Sequence, residues 1–316
     1  MRFVVLGAGA VGGTVGGLLA RRGHEVVLIA RGAQGAALRA AGLRIETPRG
    51  AFTVQPPVFA TPAEVAWRPD DVVLLAVKLQ DAADALRAVA AAAPASIAIA
   101  CLTNGLEGER LAARWFARVQ GVCVRLPVSN ETPGVVQAWG TPILGSLGVG
   151  RLPAGVDDLT HALVAAWRDP ELEVEARADI MARKRHKLLH HVGNAVEALC
   201  GAAAPMEIIA AARTEGEAVF AAAALAWTPD EVAGGSVGVG AISGQVRGGG
   251  STWQSLARTT GAVETDYLNG EIVLLGTLTG IPTPVNAALQ RLMARAARDR
   301  AAPGTMTAAE LVAAVR

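Results

Sequence analysis

The first twelve residues constrain the fold of this chain most strongly. An apolar run of strand length ends at Leu6, and three glycines follow, Gly7, Gly9 and Gly12, in the spacing G-x-G-x-x-G. In a strand–turn–helix unit the first glycine permits the turn, the second lets a pyrophosphate approach the backbone, and the third lets the helix pack on the sheet. The N–H groups at the start of the helix favour an anion. The stretch therefore predicts a dinucleotide-binding turn, whose cofactor-binding residues are Gly7, Ala8, Gly9, Ala10, Val11 and Gly12.

The residue after the second predicted strand indicates which dinucleotide binds. That strand covers residues 25–30, and enzymes that use NAD place an acidic residue at its end for the ribose 2′-hydroxyl. This chain has Arg31 there. A guanidinium suits a 2′-phosphate because its planar donors match phosphate oxygens. The sequence favours NADP over NAD, and an ordinary surface arginine is the alternative.

Two further predicted strands, residues 71–77 and 96–102, end beside polar side chains. Lys78 follows the first of them, and Asn104 lies just beyond the second. Ligands of open α/β sheets bind beyond the carboxyl ends of the strands. We therefore expect Lys78 and Asn104 at the cofactor edge, with a solvated lysine and a turn-forming asparagine as the alternatives.

The pattern of secondary structure changes near residue 176. Strands and helices alternate up to that point, which predicts an α/β domain of Rossmann type with a mostly parallel sheet, residues 1–176, that binds NADP. Only helical patterns follow, which predicts an all-α domain, residues 177–316, for substrate binding and dimerisation. We expect one continuous helix over residues 178–200 and a long helix from Ser251 to about Thr279.

Composition excludes several classes of partner. The net charge is +1 and 18% of residues are charged, so no basic patch for nucleic acid or anionic membrane is expected. Three widely spaced cysteines in apolar surroundings suit a reducing cytoplasm, and no uninterrupted apolar run reaches membrane length. His186, His190 and His191 have no acidic or cysteine partner at ligand spacing, so no metal site is predicted.

Lysine is rare in this chain: three of its 29 basic residues are lysines, Lys78, Lys184 and Lys187. Because a lysine can exchange a proton and an arginine cannot, each lysine is a better candidate for chemistry. On a helical wheel Lys187, His191 and Asn194 share one stripe, with Lys184 at its edge. Carbonyl reduction needs a proton donor and a group that holds the substrate, which Lys187 and Asn194 can supply. A solvated helix face is the alternative.

Five segments together resemble one known family over nearly the whole chain. They are residues 7–12, Ala76-Val77-Lys78, Asn104-Gly105, Lys187-Leu188 with Asn194, and residues 264–270 followed by 280–284. The chain is similar in these segments to the ketopantoate reductases (2-dehydropantoate 2-reductases). The resemblance implies an enzyme of pantothenate biosynthesis that reduces ketopantoate to pantoate with NADPH, and we expect a cytoplasmic homodimer.

The resemblance also implies roles for individual residues. Lys187 would be the general acid to the keto oxygen, and Glu264 would complete the polar network of the catalytic site. The positions of Arg31, Lys78 and Asn104 would face NADPH. The substrate-binding residues implied are Asn104, Lys187, His191, Asn194, Ser251 and Thr252.

The chain departs from the family pattern at positions that would touch the substrate. His191 stands where the family usually has asparagine, and Ser251-Thr252-Trp253 stands in place of Ser-Ser-Met, after three glycines. Two alternatives stay open, the first because of these departures and the second because a fold alone does not prove a function. One is a related reductase or dehydrogenase acting on another branched 2-oxo or 2-hydroxy acid. The other is a protein that senses NADP without catalysis.

Overall fold

The computed structural model describes residues 1–229, 237–245, 247–259 and 261–315. The chain forms two compact units. The first comprises Met1–Met181 with Glu231–Arg247, and the second comprises Ala182–Asp230 with Gly248–Arg316. The assignment of residues 1–176 to the cofactor and 177–316 to the substrate stays a prediction.

The first unit is an α/β structure. Its strands are β1 (Phe3–Leu6), β2 (Val26–Ile29), β3 (Leu43–Thr47), β4 (Gly50–Val54), β5 (Val58–Phe59), β6 (Val72–Leu75), β7 (Ala98–Cys101), β8 (Arg118–Arg125), β9 (Val128–Ser129), β10 (Val135–Ala138), β11 (Gly140–Thr141), β12 (Gly145–Arg151), β13 (Leu172–Ala176) and β14 (Gly238–Val239). Its helices are α1 (Ala10–Arg21), α2 (Gly32–Ala41), α3 (Leu79–Ala92), α4 (Glu107–Ala112) and α5 (Asp158–Trp167), with a 3-10 turn at Pro62–Glu64.

The main sheet has the strand order β13-β12-β8-β7-β6-β1-β2-β5. Strands β5, β2, β1, β6, β7 and β8 are mutually parallel. Strand β12 pairs antiparallel with β8, and β13 is parallel to β12, so these two strands run in the opposite direction. Every residue of β1, β2, β6 and β7 is buried, as expected for strands covered on both faces. The predicted Rossmann-type fold with a mostly parallel sheet is confirmed.

Helix α1 lies between the main sheet and a second, four-stranded sheet of order β4-β3-β10-β9. A Cβ at Gly16 would lie 2.8 Å from Val5 of β1, and a Cβ at Gly13 would lie 2.8 Å from Val136 of β10. Both contacts are closer than carbon atoms tolerate, so only glycine allows the two sheets to approach the helix. The paired glycines of α1 therefore serve packing on two opposite faces.

The second unit is helical in its described residues, which confirms the predicted helical C-terminal domain. Strand β14, which lies within the predicted all-α range 177–316, instead pairs with β11 in the first unit. Its elements are α6 (Ile180–His191, which begins in the first unit), α7 (Asn194–Cys200), α8 (Met206–Ala222), α9 (Ser251–Ala257), α10 (Asn269–Thr279), α11 (Pro284–Arg298) and α12 (Ala308–Val315), with 3-10 turns at Gly201–Ala203 and Glu264–Tyr267. No helix in the described part of the chain is both long and apolar enough to cross a membrane.

The predicted continuous helix over residues 178–200 is wrong, because the helix breaks between α6 and α7. The Val196 N–H donates to the Gly193 carbonyl, one residue closer than the α-helical pattern requires. A Cβ at Gly193 would lie 2.9 Å from Ile209 Cγ2, so the glycine lets α8 pack tightly at the break. The Val192 carbonyl, released from the helix, accepts a hydrogen bond from Asn269 Nδ2 at 3.0 Å.

The predicted long helix from Ser251 to Thr279 is also wrong. It is divided into α9, a 3-10 turn and α10. The backbone after α9 adopts positive φ at Thr259 (53°) and at Gly261 (78°), a conformation that cannot continue a right-handed helix. Gly250 is the N-cap residue of α9, and no side chain caps the helix there.

Candidate functional site

The glycine-rich turn links β1 to α1, and two of its glycines are required by the protein itself. Gly7 has a φ of +101°, and a Cβ there would lie 2.7 Å from the Val77 nitrogen. A Cβ at Gly12 would lie 2.8 Å from the Ala76 Cβ and 2.9 Å from Val5 Cγ1. These two glycines thus bring the turn and the helix close to the ends of β1 and β6.

Gly9 differs from these two glycines because nothing in the protein requires it. Its φ is −89°, which other residues adopt, and no described atom outside its chain neighbours lies within 4 Å of the place for a Cβ. It is the N-cap of α1, where no side chain caps the helix and no acidic residue occupies the first turn. Open space beside uncapped N–H groups is what a pyrophosphate needs, so the turn fits a dinucleotide.

The other predicted cofactor residues of the first unit lie at the same edge of the main sheet. Strand β1 lies between β2 and β6, so the chain reverses its direction of strand addition there, and ligands bind at such a point. Arg31 is the exposed N-cap residue of α2, directly after β2, and Lys78 is the half-buried N-cap residue of α3 after β6. Asn104 follows β7 and is half-buried. Their roles toward a cofactor remain predictions.

Gln34 contacts this turn, and nothing in the sequence alone pointed to it. Its Nε2 donates to the Ala8 carbonyl at 2.6 Å, and its Oε1 accepts from the Gly134 N–H at 2.9 Å. A single glutamine on an amphipathic helix carries no spacing signal, and its partners lie 26 and 100 residues away in the chain.

In the second unit, the helical stripe of predicted catalytic residues is divided by the break. Lys187 and His191 lie one turn apart on α6, and both are half-buried. Asn194 is the first residue of α7 and is half-buried as well, so it lies on a different helix from Lys187 and His191. Lys184 is more deeply buried than Lys187, with 3% of its surface exposed.

A buried network of amides holds the helix break in place. Asn269 Nδ2 donates to the Val192 carbonyl and to Asn286 Oδ1, each at 3.0 Å. Asn286 Nδ2 donates in turn to the Ala212 carbonyl at 2.9 Å and to Glu215 Oε2 at 2.8 Å. Asn269 and Asn286 are at most 1% exposed, so each bond replaces lost water. The network therefore stabilises the break that separates the predicted proton donor from the predicted substrate-binding amide.

The predicted carboxylate-binding residues lie on α9, which packs against α7, the helix that begins at Asn194. Ser251 is half-buried and Thr252 is 4% exposed, both in the first turn of α9. Glu264 begins the following 3-10 turn and is 6% exposed. The structure thus places Asn194, Ser251 and Thr252 on neighbouring helices.

The two departures around α9 are explained by one contact. A Cβ at Gly248 would lie 2.5 Å from Trp253 Cζ3, and a Cβ at Gly249 would lie 2.6 Å from Trp253 Cγ. The indole therefore occupies the space that side chains at residues 248 and 249 would need. The bulky tryptophan in the first turn of α9 therefore requires small residues at the two positions before Gly250.

The histidines of α6 form a pair rather than a cluster. His186 and His190 are one turn apart, with their Nε2 atoms 3.1 Å from each other and their rings in a T-shaped arrangement. In the described part of the chain, no group of three or more histidine, cysteine, aspartate or glutamate side chains is arranged to hold a metal ion.

Comparison with known proteins decides the family. The sequence profile described as "Ketopantoate reductase PanE/ApbA" matches residues 3–153, and that of "Ketopantoate reductase PanE/ApbA C terminal" matches residues 179–297. The chain belongs to the PanE/ApbA ketopantoate reductase family. The predicted family is therefore confirmed, and with it an oxidoreductase family that uses a nicotinamide dinucleotide and a small-molecule substrate.

Curated members of the family are distant relatives. The 2-dehydropantoate 2-reductase of Caulobacter vibrioides is 29% identical over 93% of this chain and 99% of its own length. That of Pyrococcus horikoshii is 30% identical over 190 residues, which are 60% of each chain. For the Pyrococcus abyssi enzyme the match is 26% identical over 58% of each. This chain thus matches about 60% of the length of the two Pyrococcus enzymes.

Two solved structures share the fold of this chain. The PanE/ApbA family ketopantoate reductase of Ralstonia eutropha has a TM-score of 0.78 and is 28% identical, over 95% of this chain and 99% of that one. A D-mandelate dehydrogenase solved with NADH and anilino(oxo)acetate has a TM-score of 0.79 at 20% identity, again over 95% and 99%. At that identity the second likeness shows the fold alone.

Proposed function

We propose that this chain reduces a 2-oxo acid to the 2-hydroxy acid with NADPH, and that 2-dehydropantoate is its first candidate substrate. The family match across both parts of the chain supports the reaction class, and relatives named 2-dehydropantoate 2-reductase support the substrate. One observation supports a dinucleotide cofactor: neither the φ angle nor the packing of the protein requires a glycine at Gly9. Three properties of the chain stay predictions: a role in pantothenate biosynthesis, a cytoplasmic location and assembly as a homodimer.

Different residues of the chain have different roles in this reaction. NADPH, when bound, supplies a hydride to the keto carbon. Lys187 donates a proton to the oxygen that becomes the hydroxyl, so the carbonyl gains one hydride and one proton. The Asn194 amide holds the substrate, and the hydroxyls of Ser251 or Thr252 bind its carboxylate. These roles are carried over from the family to the matching positions, with Glu264 completing the polar network.

Turnover of defined substrates tests the proposal. The purified full chain is mixed with NADPH and with 2-dehydropantoate or a panel of smaller and bulkier 2-oxo acids, and NADPH oxidation is followed by absorbance. We expect the highest kcat/KM for 2-dehydropantoate. A flat profile across the panel would contradict that substrate, and NADPH binding without any turnover would support the sensing alternative.

A second candidate is reduction of another branched 2-oxo acid, or oxidation of the matching 2-hydroxy acid. The contact of Trp253 with Gly248 and Gly249 favours it, because a bulky ring next to the predicted carboxylate-binding residues alters the shape available to a substrate. His191 adds an imidazole where the family usually has an amide. In the same panel, this candidate predicts a maximum at an acid other than 2-dehydropantoate.

Replacing Arg31 with alanine is expected to weaken NADPH selectively. An arginine that binds the 2′-phosphate contributes charge-assisted hydrogen bonds of about 1.5–3 kcal/mol, so its loss raises the KM for NADPH about 10- to 100-fold. The KM for NADH, which lacks that phosphate, stays unchanged. Steady-state kinetics with each cofactor measure both values.

Arg87→Ala is the matched control for Arg31→Ala. Arg87 is an arginine of α3 whose guanidinium contacts Asp84 on the surface, and its loss should leave both cofactor KM values unchanged. An equal loss of NADPH and NADH affinity in Arg31→Ala, or no loss at all, would show that Arg31 does not read the 2′-phosphate.

A further inference from the structure

We propose that Gln34 is a positioning residue for the cofactor, because it holds the pyrophosphate-binding turn in its binding conformation. The proposal rests on the dinucleotide cofactor proposed above. Gln34 is half-buried on α2, and its side chain joins the glycine-rich turn to the hairpin between β9 and β10. Gln34 contacts the turn at the Ala8 carbonyl. It therefore acts on the cofactor through the backbone of the turn and not by direct contact.

The chemistry of the two partners sets the orientation of the Gln34 amide. The Ala8 carbonyl, 2.6 Å from Nε2, can only accept a hydrogen bond, and the Gly134 N–H, 2.9 Å from Oε1, can only donate one. An amide carries one donor group and one acceptor group, so a single orientation satisfies both contacts. Glutamate can retain the second bond only, because a carboxylate cannot donate to Ala8.

The bond to Ala8 orients the peptide that faces the pyrophosphate. A trans peptide is planar, so its C=O and N–H groups point in opposite directions. Because the Ala8 carbonyl points to Gln34, the N–H of Gly9 points away from it. Gly9 is the residue beside the open space described above, where a Cβ would meet no other described atom. Gln34 therefore keeps that N–H turned toward the place for an anion.

The other end of the Gln34 amide is bound to a hairpin that is itself held by hydrogen bonds. Gly134 has a φ of +82°, and its carbonyl accepts from the Arg44 N–H of β3 at 2.9 Å. Asn130 Nδ2 closes the same hairpin by donating to the Val135 carbonyl at 2.7 Å. Because β9 and β10 belong to the second sheet, Gln34 connects the glycine-rich turn to that sheet.

The positions of Gln34 and Arg31 on α2 separate their effects. Arg31 lies at the start of the helix, and its predicted partner is the 2′-phosphate, which only NADPH carries. Gln34 lies one turn further along α2. It orients the turn that binds the pyrophosphate, a group that both NADPH and NADH contain. Loss of Gln34 should therefore weaken both cofactors equally, whereas loss of Arg31 should weaken NADPH alone.

Two variants of the full chain test the proposal. Gln34→Met keeps the length of the side chain and removes both hydrogen bonds, and Gln34→Glu removes only the donor to Ala8. Dissociation constants for NADPH and NADH are measured by fluorescence titration, and melting temperatures are recorded. We expect both Kd values to rise about tenfold in Gln34→Met, the effect of losing hydrogen bonds of about 1.4 kcal/mol. In Gln34→Glu, the Kd values for both cofactors should rise by at least the same factor.

The kinetics distinguish positioning from a general structural role. In Gln34→Met, the cofactor KM should rise with its Kd, while kcat at saturating cofactor and the KM for the 2-oxo acid stay at wild-type values. Gln55→Met is the control, because Gln55 is an exposed glutamine between β4 and β5. It should bind both cofactors like the wild type.

Three results would overturn the role of Gln34. They are unchanged Kd values in a folded Gln34→Met, a loss confined to NADPH, or a fall of kcat and melting temperature without a change in cofactor KM. If Gln34→Met does not fold, Gln34→Glu decides by the same criteria, and failure of both to fold also overturns the proposal. A wild-type chain that binds neither cofactor would instead refute the proposed function.

Discussion

Replacing Lys187 with alanine is expected to lower kcat by about 10²–10⁴-fold, the usual contribution of a general acid. Lys187 lies half-buried on α6, and alanine is a strong helix former, so the helix should persist. The Kd for NADPH should be unchanged, because the lysine acts on the substrate oxygen. Single-turnover and steady-state NADPH oxidation measure the loss, and circular dichroism confirms the fold.

Lys187→Arg separates proton donation from charge. Arginine keeps the positive charge but does not release its proton, so this variant should also be slow if Lys187 is the general acid. Turnover at the wild-type rate in Lys187→Ala would exclude Lys187 from the chemistry. Lys184, one turn earlier and 3% exposed, would then be the remaining lysine of α6 to test.

Replacing Gly9 with alanine is expected to abolish most cofactor binding while the protein keeps its stability. The φ of −89° suits alanine, and no described atom outside the chain neighbours would contact the new methyl group. In the complex, the methyl group would press against the pyrophosphate. Overpacking of this kind costs about 1–3 kcal/mol, which raises the Kd for NADPH about 5- to 150-fold. Fluorescence titration and thermal melting measure the two properties.

Gly12→Ala is the matched comparison, because its defect is expected in the protein itself. A Cβ there would lie 2.8 Å from the Ala76 Cβ, so this variant should melt at a lower temperature even without cofactor. Two outcomes would show that Gly9 does not face the cofactor: normal NADPH affinity in Gly9→Ala, or a loss of stability equal to that of Gly12→Ala.

The buried parallel strands of the first unit and the start of α1 could be predicted because their signals are local, whereas helices α2 and α4 and strand β5 were not predicted. Runs of buried apolar residues mark β1, β2, β6 and β7, and the three glycines mark the turn into α1. The same local signals placed Arg31, Lys78 and Asn104 after strands. The parallel order of those strands then brings the three residues to one edge of the sheet.

The break between α6 and α7 could not be predicted, because its causes lie far away in the sequence. Gly193 is the one local hint, and an isolated glycine is tolerated within a helix. What breaks the helix is the close approach of Ile209 and the bond from Asn269 to the freed Val192 carbonyl. Helix periodicity placed Asn194 on one helix with Lys187, and the tertiary contacts place it on a separate helix, α7.

Short motifs and their spacing were therefore sufficient to predict the family, the dinucleotide-binding turn and the residue types available for chemistry. The tertiary structure supplied the contacts that require Gly7 and Gly12 and that are absent at Gly9. It also brought Gln34 to the turn and joined Asn269 to the break. Such contacts join residues distant along the chain, so packing and hydrogen bonding decide them and local propensity does not.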